Sequence, residues 1–245
     1  MRRMIFALAL VSISIVCFIN GASAQEKKAE AAKATPDKTA QTKGAPPKIP
    51  AGKVLVEEEI LIGFVDEPNS HFGLARDNFL KKDFAASAAE IRKGAGYVKL
   101  EMSRAASGAE AERALSDAVA QLAKLADDIE KGAVTSVDKL NTAFAGVEQA
   151  LAFHHELKAK EYWAAEEQKK AGQDLKAASK HLENAMKYAN EKVETGTEAA
   201  IKDARDIGQK LVEGTGWAAD KVGKAMQDLG KKIEETGKKM MAPKK

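Results

Sequence analysis

The apolar positions of this chain spell a helical hairpin twice. Residues 71–105 and 155–189 align so that His71 matches His155, Ala75 matches Ala159, Phe79 matches Trp163, Ile91 matches Leu175, Val98 matches Leu182, Met102 matches Met186 and Ala105 matches Ala189. Each copy breaks at an acid, Asp83 in the first and Glu167 in the second. A unit that recurs in this way buries its apolar face by stacking on its neighbours.

Taken in order, Asn69 or Ser70 is positioned to cap a first helix with His71, Leu74, Ala75 and Phe79 on its inner face, and Lys81-Lys82-Asp83 makes a tight corner. The second helix carries Phe84, Ala88, Ile91, Ala95, Val98, Met102 and Ala105 in alternating steps of four and three, a narrow seam suited to another helix. Gly94 and Gly96 on it would let a neighbour approach closely. After Ser107-Gly108 a third helix repeats the seam with Ala111, Leu115, Ala118, Leu122, Leu125 and Ile129, and Gly132 closes it. Thr135 or Ser136 caps a fourth, running through Val137, Leu140, Phe144, Val147 and Leu151 to about Glu166. The fifth carries Ala171, Leu175, Ala178, Leu182, Ala185 and Ala189. Short corners between long amphipathic helices force antiparallel neighbours. The pattern therefore predicts an all-α fold over residues 69–192, an up-and-down helical bundle built from duplicated hairpins.

Residues 193–245 change period. Ala200, Leu211, Val222 and Ile233 are eleven apart, as are Ile207, Ala218, Leu229 and Met240. Eleven residues in three turns is close to the repeat of a straight helix, so the apolar stripe barely winds. This predicts a long amphipathic C-terminal helix that meets a membrane surface or another protein through Ile207, Leu211, Trp217, Val222, Leu229, Ile233 and Met240. Glycines at 208, 214, 216, 223, 230 and 237 favour a helix formed on contact. The alternative is that the stripe packs back on the bundle.

The N-terminal residues read as export and tether. Arg2 and Arg3 precede an apolar run from Met4 to Ile19, and Gly21-Ala22-Ser23-Ala24 supplies a small-residue cleavage pattern, so residues 1–24 are expected to be a signal peptide. Residues 25–52, rich in Ala, Lys, Thr and Pro, lack the large apolar side chains needed to offset ordering entropy and are expected to be a disordered linker. Residues 53–68 are a lead-in segment that fits one strand or a short helix. The expected location is the periplasm, with secretion as the alternative.

Charge narrows the function classes. Lys and Arg number 39 against 36 Asp and Glu, a net charge of +3, with the signs interleaved along the helices. No basic block points to nucleic acid. The single cysteine, Cys17, falls in the signal peptide, which leaves the exported chain without disulfides, thiolate metal sites or a cysteine nucleophile. No P-loop, dinucleotide fingerprint or serine-nucleophile motif is present, so no enzyme is expected.

His71, His154, His155 and His181 are the imidazoles available for chemistry, and two of them are repeat equivalents. An approximate two-fold axis between the copies would set His71 opposite His155, with Glu90 or Glu161 as a carboxylate partner, a site for Zn, Cu or Fe or, with two axial histidines, for haem. The competing expectation is that these histidines are satisfied by hydrogen bonds within the bundle.

Residues 74–125, with Ala75, Asp83, Ala88, Glu90 and the Ala-rich helix that follows, resemble the YfdX-type periplasmic helical proteins. That resemblance implies a periplasmic, stress-associated role and carries over no catalytic residues. The tail, about residues 196–240, is similar in pattern to the eleven-residue repeats of exchangeable apolipoproteins, synucleins and late-embryogenesis-abundant proteins, which implies helix formation on a membrane. The expectation is a non-enzymatic exported helical protein, stress-associated or scaffolding, that is also a candidate homo-oligomer.

Overall fold

A computed structural model describes residues 64–103, 108–190 and 194–241; the expected signal peptide, the linker and most of the lead-in lie outside the described residues. Among the described residues seven helices follow one another: α1 (Glu67–Leu80), α2 (Phe84–Ser103), α3 (Ala109–Glu130), α4 (Val137–Ala164), α5 (Gln168–Ala189), α6 (Thr195–Glu213) and α7 (Ala219–Met241). Each packs on the next, and α7 returns to lie against α4 and α5, so the whole is an up-and-down bundle. Among the described residues there is no strand, and no helix is long and apolar enough to cross a membrane.

The duplication is visible in the backbone. At the first corner Lys82 takes φ 65° and its N–H donates to Phe79 O at 2.9 Å, while Asp83 N–H donates to Asn78 O at 2.9 Å. At the second, Glu166 takes φ 61°, donating to Trp163 O at 3.2 Å, and Glu167 N–H donates to Tyr162 O at 2.9 Å. Both corners thus end a helix by the same left-handed residue, which satisfies the last carbonyls and reverses the chain. The matched acids differ in what they do there. Asp83 Oδ1 accepts from Ala86 N–H at 3.0 Å, a true cap, whereas Glu167 makes no side-chain cap and pairs with Lys170 instead.

Other boundaries shift for local reasons. The first helix starts at Glu67, ahead of Asn69 and Ser70, because Pro68 is pre-set for the opening turn; Ser70 Oγ donates back to Asp66 O. Leu74, expected on the inner face, is 51 % exposed, and Phe84 at the corner is 36 % exposed. Ser136 caps α4 as expected, its Oγ accepting from Asp138 N–H at 3.1 Å.

The largest departure concerns the tail. The eleven-residue stripe is divided between α6 and α7 by a turn in which Gly214 and Gly216 have φ 73° and 74°. Ile207, Leu211, Val222, Leu229 and Ile233 are all buried, packed into the core with Leu175 and Leu182. Trp217 packs on this cluster, its ring edge-on to Trp163 at 5.5 Å, and Met240 is half-buried. The helix predicted to meet an outside surface is therefore two helices that complete the bundle. Burying a single Leu fully is worth about 1.5–3 kcal/mol, so each buried stripe residue contributes to holding α6 and α7 on the bundle.

Glycine makes the docking close. A Cβ at Gly172 on α5 would lie 2.5 Å from Gly208 O on α6, and one at Gly208 would lie 2.7 Å from Gly172 O. The two backbones therefore touch. Gly94 likewise lies under the Phe72 ring, while Gly96 has open space around it.

Candidate functional site

The apolar core is two clusters joined by a polar layer. One cluster runs through α1 to α4 and ends at Leu151; the other begins at Ala152 and takes in α5, α6 and α7. Between them Glu101 of α2, Glu148, His154 and His155 of α4, and Asp174, His181 and Asn184 of α5 are all buried.

The layer is built of histidine–carboxylate pairs. His155 Nδ1 donates to Asp174 Oδ1 at 2.6 Å and His181 Nδ1 to Glu148 Oε2 at 2.7 Å, with Asn184 Nδ2 adding a bond to the same oxygen at 3.3 Å. Glu101 Oε2 lies 3.8 Å from Nε2 of both His154 and His155. The rings of His155 and His181 stack at 5.1 Å, and His154 stands edge-on to His155 at 5.3 Å. Lys158, also buried, holds its ammonium 4.5 Å above the Tyr162 ring. Charged groups this deep persist only when paired. The layer links α2, α4 and α5 through these contacts, and the side chains named in it include no hydroxyl or thiol nucleophile.

The structure separates the two repeat-equivalent histidines. His71 Nδ1 donates to Glu90 Oε2 at 2.6 Å and its ring stacks on Tyr97 at 5.5 Å. Its neighbour Phe72 stacks on Phe144, which stands eleven residues, about 16 Å of helix, from His155. The expected His71–His155 site is thus not formed, because each copy satisfies its own histidine within its own hairpin. Glu161 is exposed. Among the described residues no group of three or more His, Cys, Asp or Glu side chains is arranged to hold a metal ion. Lys93 beside Glu90, and then His71, hold the Glu90 carboxyl below the usual range against the opposing effect of burial.

Of the acids, Glu90 was expected as a carboxylate partner, while Asp174, Glu101 and Glu148 were missed. Glu90 and Asp174 occupy matched positions, each nineteen residues after its histidine, so the repeat itself carried the signal for Asp174. Glu101 and Glu148 have no such mark in the sequence.

On the other face of α4 lies a groove of about 1180 Å³. Its walls are α3 and α7 and its floor is α4, from Gly146 to Trp163. Ala114, Ala118, Ala150, Phe153, Leu157, Met226 and Ile233 supply its apolar lining. Gly223, Gly230 and Gly237, seven apart, run along the α7 wall. Gln149 donates to Ile233 O, and the Glu156 carboxylate, paired with Lys160, sits against Gly230, so α7 is seated on α4 without filling the space beside α3.

No protein-family profile, no curated protein and no solved structure matches the chain.

Proposed function

We propose that this chain is a non-enzymatic, exported helical-bundle protein that works by binding, in an envelope-stress or scaffolding capacity, and that the α3–α7 groove is where a partner's helix is held. The groove is the observation that carries the reading. Its floor spans eighteen residues of α4, about 25 Å, and its volume of about 1180 Å³ exceeds the usual range of small-molecule pockets. An apolar trough of helical length between two helices is the geometry by which amphipathic helices are recognised. The tail remains the partner-facing element on this reading, through the side of α7 that looks into the groove, where Ile233 and Met240 of its stripe reach the lining.

The test uses the intact exported chain and an amphipathic helical peptide with an Ala/Leu seam. Trp163 lines the groove, so its emission reports occupancy. Gly146 and Gly223 are exposed lining positions at which an added Cβ meets nothing within 4 Å, so Gly146→Phe with Gly223→Phe should obstruct the trough with the bundle still folded. Saturable binding that the double variant abolishes is the expected result. Binding that survives the double variant, or none at all, overturns the reading.

A further inference from the structure

We propose that the occupant of this groove is an amphipathic helix of opposite charge on its two flanks, basic toward α3 and acidic toward α7; the inference rests on the binding reading above. The walls differ in sign. On α3 the lining carboxylates are Glu110 and Asp117, seven residues apart, and neither has an ion-pair partner among the described residues. On α7 the lining charges are Lys231, Glu234 and Lys238, a net single positive charge against two negative charges on α3, with the ammonium groups again seven apart. They reach only along their own helix, to Glu235 at 3.9 Å and to Glu234.

Seven-residue spacing of charge beside an apolar seam is how paired helices choose partner and orientation. The groove presents one such flank on each side, and Gly223 on the α7 wall leaves open space there, while Gly230 and Gly237 seat the Glu156 and Gln149 side chains of α4. A helix turned end for end keeps its seam in the trough but exchanges its flanks. Opposite walls therefore fix the direction in which the helix lies, which two like walls would leave open. Length and charge together favour a helix over a lipid chain, for which alternating carboxylates and ammonium groups offer nothing.

Two peptides with the same Ala/Leu seam test this, one with heptad-spaced Lys on one flank and Glu on the other, the second with Glu on both. The intact chain is expected to bind the two-signed peptide about ten-fold more tightly, a preference that shrinks in high salt because the pairs are exposed. Glu110→Lys with Asp117→Lys makes both walls basic and should invert the preference. Both positions are exposed, so the bundle should fold unchanged.

If the two peptides bind equally while Gly146→Phe with Gly223→Phe still blocks them, the charge assignment falls and the binding reading stands. If neither peptide binds, both fall. A chain that is dimeric in solution and becomes monomeric with Gly223→Phe would give the groove to a second copy. Trp163 responding to phosphatidylcholine vesicles but to neither peptide would give it to lipid. Either result overturns the proposal.

Discussion

His155 Nδ1 lies 2.6 Å from Asp174 Oδ1 with both side chains closed off from water, whereas the repeat-equivalent pair His71 and Glu90, at the same separation, keeps 16 % and 13 % of its side-chain surface exposed. One duplicated interaction is thus present in two dielectric settings. Removing a partner from a buried pair strands a charge, which costs about 3–5 kcal/mol, while a hydrogen bond open to solvent is worth about 1 kcal/mol. Asp174→Asn should therefore destabilise the bundle severely and Glu90→Gln mildly, read by urea unfolding of each variant. Similar small losses at both sites would mean that water reaches the α4–α5 layer.

The glycines divide in the same testable way. Gly172 and Gly208 hold α5 and α6 in backbone contact, so Gly172→Ala or Gly208→Ala must push the helices apart, at about 1–3 kcal/mol. Gly96 is helical, exposed and has nothing within 4 Å, so Gly96→Ala should stabilise by about 0.5–1 kcal/mol through helix propensity alone. Thermal unfolding of the three variants checks both signs at once.

The fold was legible because the corners and seams obey local rules. Gly108 and Gly132 bound a helix through the positive φ that glycine adopts freely, and Asp83 and Ser136 through a side-chain cap, local devices that need no knowledge of distant neighbours. Glu101 and Glu148 were not legible. Their neighbours in the sequence read as ordinary amphipathic helix, and only the packing of α2 and α5 on α4 turns them inward onto histidines. The tail was half legible, since its stripe specifies an apolar contact and is silent on whether that contact is a membrane or Leu175 and Leu182. The groove was invisible for a related reason, being a space between elements that no single helix encodes.

Tyr188 links the end of α5 to the start of α1, its hydroxyl donating to Asn69 Oδ1 at 3.0 Å. Burial, with the Glu148 carboxylate adding to it, pushes the phenol above its ordinary value of about 10. A raised value means that the folded chain holds the proton more tightly than the unfolded chain does. The stabilisation is therefore whole below about pH 10 and is lost as pH climbs from there toward the folded value. Tyr188→Phe should cost about 1 kcal/mol at pH 8 through the missing hydrogen bond, yet lose less than the parent between pH 9 and 11, the roughly two-unit window around the free phenol. Guanidinium unfolding across that range, compared between the two proteins, is the check. Parallel curves would mean that the phenol titrates equally in both states.

Trp163 and Trp217 are the two tryptophans of the chain and meet edge-on at 5.5 Å, one at the end of α4 and the other in the turn between α6 and α7. Their emission therefore reports whether the tail is docked. Leu229 is fully buried on α7 among Met226, Ile233 and the α5 seam, and a carboxylate there cannot find a partner. Leu229→Asp should release α7, shift tryptophan emission to the red and expose the stripe of Val222, Met226 and Ile233. The parent protein, with that stripe covered, should leave its emission unchanged when phosphatidylcholine or phosphatidylglycerol vesicles are added. The released variant should bind such vesicles and regain a blue-shifted emission, because an amphipathic helix denied its core seeks another apolar surface. Vesicle binding by the parent as strong as by Leu229→Asp would mean that lipid competes successfully with the bundle for the tail. The docked arrangement of α6 and α7 would then be one of two states of comparable free energy, and the eleven-residue stripe would serve both.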